Sequence, residues 1–156
     1  MFPLLDYVCV ILLDITVLLD LRLQRAINAC VRYIFGLRRY EHVSLYYNRL
    51  QWLSVSSRRE YFTGYLMYRA IAGNIPISFM PELHYNVRDD ASGPCTRSDT
   101  ANLICPAVRT SVYEDSFTNR GIRMWNNLPA TIRNIRTLAS FKTALYDYIL
   151  RQQTVH

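Results

Sequence analysis

The residues with the most chemistry to offer are the adjacent carboxylates Asp89-Asp90. Paired carboxylates hold the two metal ions of polymerases and nucleases. Here they stand in Asn86-Val87-Arg88-Asp89-Asp90-Ala91-Ser92-Gly93, with no strand pattern before them and a Ser-Gly pair after. That context reads as a solvated turn. A polymerase aspartate box also carries an aromatic residue two places before the pair, where this chain has Val87. Cys9, Cys30, Cys95 and Cys105 match neither zinc-ligand nor C-x-x-C spacing, and His42, His84 and His156 complete no metal set with them. Cys95 with His84 makes a poor thiolate pair without an orienting third group. No G-x-x-x-x-G-K-[ST] loop and no G-x-S-x-G elbow is present. The residues therefore predict no catalytic centre, no metal, no cofactor and no small-molecule ligand.

Arginine carries the stronger signal. Of the 18 basic residues, 17 are Arg and one, Lys142, is Lys; they outweigh 12 acidic residues for a net charge of +6. A guanidinium presents a planar fork of donors that fits phosphate or carboxylate and stacks on aromatic faces. Twelve Tyr accompany them. Arg38-Arg39-Tyr40 follows an expected helix end, and Arg58-Arg59 falls in the first turn of another. Exposed, such groups make a phosphate-and-stacking surface. Two structural uses compete with that reading: Arg58 and Arg59 pairing with Glu60 or nearby acids, and Arg38 satisfying carbonyls at a helix C-terminus.

The elements that must position these groups are helical. The 156 residues are 51% apolar and 19% charged, which excludes a disordered chain. A first helix is expected over about Leu4 to Leu13, and a second, capped by Asp14, to about Phe35, with Gly36 just beyond its end. In the second, Leu23, Ile27, Cys30, Val31 and Ile34 form an apolar stripe, and Arg22, Arg25 and Arg32 fall away from it. Cys9 and Cys30 read as core thiols. A short helix from Ser44 to about Leu50 precedes a buried Trp52-Leu53 pair. Ser57-Arg58-Arg59-Glu60 reads as the capping box of a third long helix, with Phe62, Tyr65, Leu66 and Ile71 apolar and Gly73 as its stop.

Four prolines and Gly93 break every pattern from Asn74 to about Tyr113, with room only for short strands near Leu103–Ile104 and Val108–Val112. Helix returns over about Ser116 to Asn126, turns at Leu128-Pro129, and resumes from Thr137 to Arg151, with Phe141, Leu145, Tyr148 and Ile149 on the apolar face. Trp125 and Leu128 read as core anchors. The fold class is mainly α: a helical hairpin and helical bundle, a long irregular Pro-containing middle segment, and at most one short β-hairpin. The expected divisions are 1–73, a helical thumb-like region; 74–113, an irregular connector; and 114–156, a C-terminal helical region packing on the first.

The apolar start is interrupted by Asp6, Asp14 and Asp20, which leaves no run long enough to span a bilayer. It also lacks a basic leader region and a small-residue cleavage site. The expectation is an intracellular protein, nuclear or cytoplasmic, with free thiols and no membrane partner.

Several blocks, in order, carry a family likeness. The run Leu23-Gln24-Arg25-Ala26-Ile27-Asn28-Ala29-Cys30-Val31-Arg32-Tyr33-Ile34-Phe35-Gly36 resembles the LQ-x-x-x-N-x-x-x-R-x-I-x-G block of non-LTR, LINE/jockey-like retrotransposon reverse transcriptases. Leu50-Gln51-Trp52-Leu53-Ser54-Val55, Thr96-Arg97-Ser98, Pro106 to Thr110, Ser116-Phe117, Arg123 to Pro129 (RMWNNLP) and Ser140-Phe141-Lys142 continue the likeness to about residue 150. The resemblance implies part of the thumb and the segment beyond it, without fingers, palm aspartates or endonuclease, and with Met1 as an internal methionine of a longer element. It implies a piece of an RNA-directed DNA polymerase that is not an enzyme by itself, with the parent's palm as missing partner. The partner class is then an RNA/DNA hybrid or single-stranded nucleic acid, contacted without sequence preference through Arg22, Arg25, Arg32, Arg38, Arg39, Arg58 and Arg59. The competing reading is a helical protein–protein interaction module whose arginines meet acidic partners.

Overall fold

The computed structural model describes residues 6, 15–73, 102–107, 109–114 and 116–155. Asp89, Asp90, His84, Cys9, Cys95, Asp14, the Thr96-Arg97-Ser98 block and all of the expected first helix but Asp6 lie outside them. Among the described residues the fold is mainly α and no strand occurs. The helices are α1 (Val17–Phe35), α2 (Ser44–Leu50), α3 (Val55–Ile71), α4 (Ser111–Glu114), α5 (Phe117–Asn127), α6 (Ala130–Arg133) and α7 (Leu138–Val155). They build two compact units: residues 1–62 with 143–156, and residues 63–142. This division differs from the three consecutive segments expected, because α3 and α7 each contribute to both units.

In the first unit, Ile27 and Val31 of α1 are buried with Tyr47 and Val55, and Leu23, Phe35, Val43, Tyr46, Leu50 and Trp52 pack around them. Each fully buried aliphatic side chain here contributes about 1.5–3 kcal/mol. The stripe is narrower than its spacing suggested: Cys30 and Ile34 are exposed, and Phe35 is held instead, its ring 4.6 Å from that of Tyr46. Thr16 stands at the N-cap of α1 without a side-chain cap bond. Gly36 ends the helix at φ 63°, a conformation that glycine adopts without a Cβ penalty, and Leu37 N–H donates to the Arg32 carbonyl at 2.9 Å.

Helix α3 begins at Val55, three residues before the start that a Ser57 cap implies. Ser54 Oγ accepts from Ser57 N–H at 3.2 Å, so Ser57 stands inside the first turn and Ser54 caps it. The chain end returns to this point. Gln153 Oε1 accepts from Ser54 N–H at 2.8 Å, Gln153 Nε2 donates to the Trp52 carbonyl at 3.2 Å, and the Tyr146 hydroxyl donates to the Gln51 carbonyl. The C-terminal part of α7 is thereby tied to the segment between α2 and α3.

In the second unit Met67, Tyr68, Leu103, Ile122, Trp125, Leu128, Ile132 and Phe141 are buried. Tyr68 stacks on Phe141 at 4.2 Å. Trp125 and Leu128 are core anchors, and Phe141 closes the same core. Asn126 hydrogen-bonds both backbone groups of Leu103, accepting from its N–H and donating to its carbonyl at 2.9 Å each. A side-chain amide therefore satisfies the backbone where a strand was expected. Val112 lies in the short helix α4. Ser116 caps α5, and Pro129 precedes α6.

Candidate nucleic-acid interface

Helix α1 divides its surface by period. With Ile27 and Val31 inward, Arg22, Arg25, Ala29 and Arg32 follow one another at three- and four-residue steps along the opposite side. Arg22, Arg25 and Ala29 are exposed, and Arg32 is half-buried. The small Ala29 leaves the three guanidinium groups in a line about 15 Å long. Arg32 Nε is buried and makes no hydrogen bond among the described residues. Past Gly36, Arg38 and Arg39 are exposed, in a turn closed by a hydrogen bond from Glu41 N–H to the Arg38 carbonyl at 3.1 Å.

Arg58 and Arg59 are placed elsewhere. Arg58 pairs with Asp6 and Arg59 with Asp20, and only 13% and 12% of their side chains are exposed. The cause is the register of α3. With Val55 buried, positions 58 and 59 are three and four residues on and share its inward face. A charge there needs a counter-charge, since an unpaired buried cation is costly. Of the seven predicted arginines, the exposed ones are therefore Arg22, Arg25, Arg38 and Arg39, with Arg32 at their edge.

Two block residues that carried only a likeness in the sequence prove to be the joint of the first unit. Gln24 Nε2 donates to Asn28 Oδ1 at 3.0 Å and to the Tyr47 hydroxyl at 2.8 Å, and Tyr47 donates in turn to Asn28 Oδ1 at 2.8 Å. Gln24 Oε1 accepts from Val55 N–H at 3.0 Å, satisfying a donor in the first turn of α3. Three helices are thereby fixed through one carboxamide. Burial pushes the Tyr47 phenol above its usual range, against the hydrogen bond from Gln24. A cleft of about 410 Å³ opens beside this network between Asn28, Ser44, Asn48 and Gln153. Its lining is mainly polar and bears no charged side chain.

Two aromatic side chains stand beside the arginines: Tyr40, which the sequence placed in a phosphate-and-stacking surface, and Tyr33, which it did not single out. Tyr33, in the last turn of α1, is 90% exposed, and Tyr40 is 89% exposed. Their signal was the Arg-Tyr adjacency itself, at Arg32-Tyr33 and Arg39-Tyr40.

Among the described residues no group of three or more His, Cys, Asp or Glu side chains could hold a metal ion, and no helix is long and apolar enough to cross a membrane. Cys30 and Cys105 are free and exposed, so the expectation of a core thiol fails for Cys30. No protein-family model matches the chain, and no curated protein and no solved structure is found to be similar to it.

Proposed function

We propose that the chain is the thumb and post-palm portion of a non-LTR, LINE/jockey-like retrotransposon reverse transcriptase, and that it holds a nucleic-acid backbone without chemistry of its own. The observation that carries the reading is the line of Arg22, Arg25 and Arg32 on the side of α1 opposite its buried residues. The ordered sequence blocks agree with it. A rigid helix with one face in a core and guanidinium groups along the other suits contacts to phosphates, which fix position and carry no sequence information. The protein acts inside the cell, with an RNA/DNA hybrid as its ligand and the palm of the parent polymerase as its covalent partner.

Filter binding of the purified chain to an RNA/DNA hybrid at rising salt tests this. Three to five phosphate contacts give a slope of log K against log salt of roughly −3 to −4.5. Arg22→Gln with Arg25→Gln should make it shallower by about 2 and weaken binding equally across sequences. A flat salt response, no binding at low salt, or equal displacement by an acidic peptide of matched charge would overturn the reading.

A further inference from the structure

Resting on that reading, we propose that the end of α1 and the turn after it form a seat for unpaired nucleotides, whose bases stack on Tyr33 and Tyr40 while Arg38 and Arg39 hold the flanking phosphates. The tip is built to stand open. Gly36 turns the chain out of the helix at φ 63°, and a Cβ placed there would meet no atom within 4 Å. Leu37 and Val43 are half-buried, and Val43 packs on the core of the first unit, so the segment is anchored at both ends. Between these anchors the Glu41-to-Arg38 hydrogen bond closes a turn that carries Arg39 and Tyr40 at its centre.

Tyrosine is ordinarily a half-buried residue, with its ring packed and its hydroxyl wet. Here two tyrosines seven positions apart leave about nine-tenths of their surface in solvent, each preceded by an arginine. Residues 32 to 41 set three guanidinium groups against the single carboxylate of Glu41. A free ring face beside a cation is the local pattern of single-strand recognition, since every base has a stacking face and every nucleotide a phosphate. Paired bases keep their faces inside the duplex and cannot use the rings. The line of Arg22, Arg25 and Arg32 takes the backbone of a duplex; the tip takes the strand that runs beyond it.

Fluorescence anisotropy separates the two surfaces, with three probes: a blunt RNA/DNA hybrid, the same hybrid carrying a single-stranded overhang of about six nucleotides, and the free single strand. The overhang should tighten binding over the blunt hybrid by roughly tenfold for each ring engaged. Tyr33→Ala with Tyr40→Ala should remove that gain and leave blunt-hybrid binding unchanged, and Tyr33→Phe with Tyr40→Phe should keep it. Both sites are exposed, so circular dichroism should match the parent chain. Blunt and overhang probes bound equally, or a gain that survives the double alanine variant, would overturn the seat while leaving the duplex surface standing. Ring-dependent binding of the single strand with the blunt hybrid ignored would keep the seat and overturn the duplex reading. No binding of any probe would sink both.

Discussion

Replacing Gln24 by Ala tests whether one carboxamide joins three helices. The substitution deletes the acceptor for Val55 N–H and both donations, to Asn28 Oδ1 and the Tyr47 hydroxyl. Loss of the acceptor at the start of α3 costs about 1 kcal/mol, the usual value of a helix-terminal cap. The two donations cost about 0.5–1 kcal/mol each, because Asn28 and Tyr47 retain their own hydrogen bond and neither is orphaned. Alanine returns a few tenths through helix propensity. The net destabilisation is about 2 kcal/mol, or roughly 4–8 °C in Tm for a chain of this size. Urea unfolding should be followed by Trp fluorescence in a Trp125→Phe background, so that Trp52 alone reports the first unit. Gln24→Glu keeps an acceptor, with a charge favoured at a helix N-terminus, and should lose less. A Gln24→Ala variant within about 0.5 kcal/mol of the parent would refute the joint. So would a Gln24→Glu variant as damaged as Gln24→Ala.

Two further stability measurements follow. A Cβ at position 121 would lie 2.6 Å from Met67 Sδ, and Met67 is wholly buried, so Gly121→Ala should destabilise by about 1 kcal/mol, overpacking outweighing the helix gain. In a Met67→Ala background the same change should stabilise; an unchanged sign in thermal melts of the two pairs would show that the contact does not decide the cost. Tyr47 has a folded-state pKa raised above 10.0 by burial, so as pH climbs past 10.0 the unfolded chain loses this proton first and stability falls. Tyr47→Phe should therefore cost stability at about pH 8 and lose part of that disadvantage above pH 10, read as urea midpoints at the two pH values. A gap that widens with pH would contradict the assignment.

What the sequence made legible was whatever its local rules govern. Gly36 and Gly73 stand at helix ends with positive φ, as their positions implied, and Phe141, Leu145 and Ile149 line the buried face of α7. Local rules misplaced the start of α3, because Ser57 with Glu60 fits the capping-box pattern and Ser54, with Ser57 three residues on, does not. Ser54 prevails through Gln153, 99 residues away, whose carboxamide accepts from the Ser54 backbone. The same reason hid the roles of Gln24 and Asn28: their partner Tyr47 lies 23 and 19 residues on. The exposure of Cys30 and Ile34 was likewise unreadable, since spacing gives the side of a helix and tertiary packing decides how wide a stripe is covered.

That distinction bears on how the Arg excess should be understood. Seven arginines were expected to share one role, and the fold separates them by what faces them. Arg58 and Arg59 lie on the inward side of α3 and meet Asp6 and Asp20, so the acids that interrupt the apolar N-terminal run serve as their counter-charges. An exposed ion pair adds little, but a largely buried arginine left without its acid is strongly destabilising. The positions of Asp6 and Asp20 in an otherwise apolar stretch thus have a structural reason. Of the seven, this leaves those on the outward side of α1 and in the turn after Gly36, where no ion pair among the described residues neutralises Arg22, Arg25, Arg38 or Arg39. The charge that these seven offer a polyanion is consequently smaller than their number suggests, and it lies on one helix and its tip. Binding carried by that surface should follow substitutions in α1 and the 38–41 turn and be indifferent to the surface charges of the second unit, such as Arg123, which pairs with Glu114.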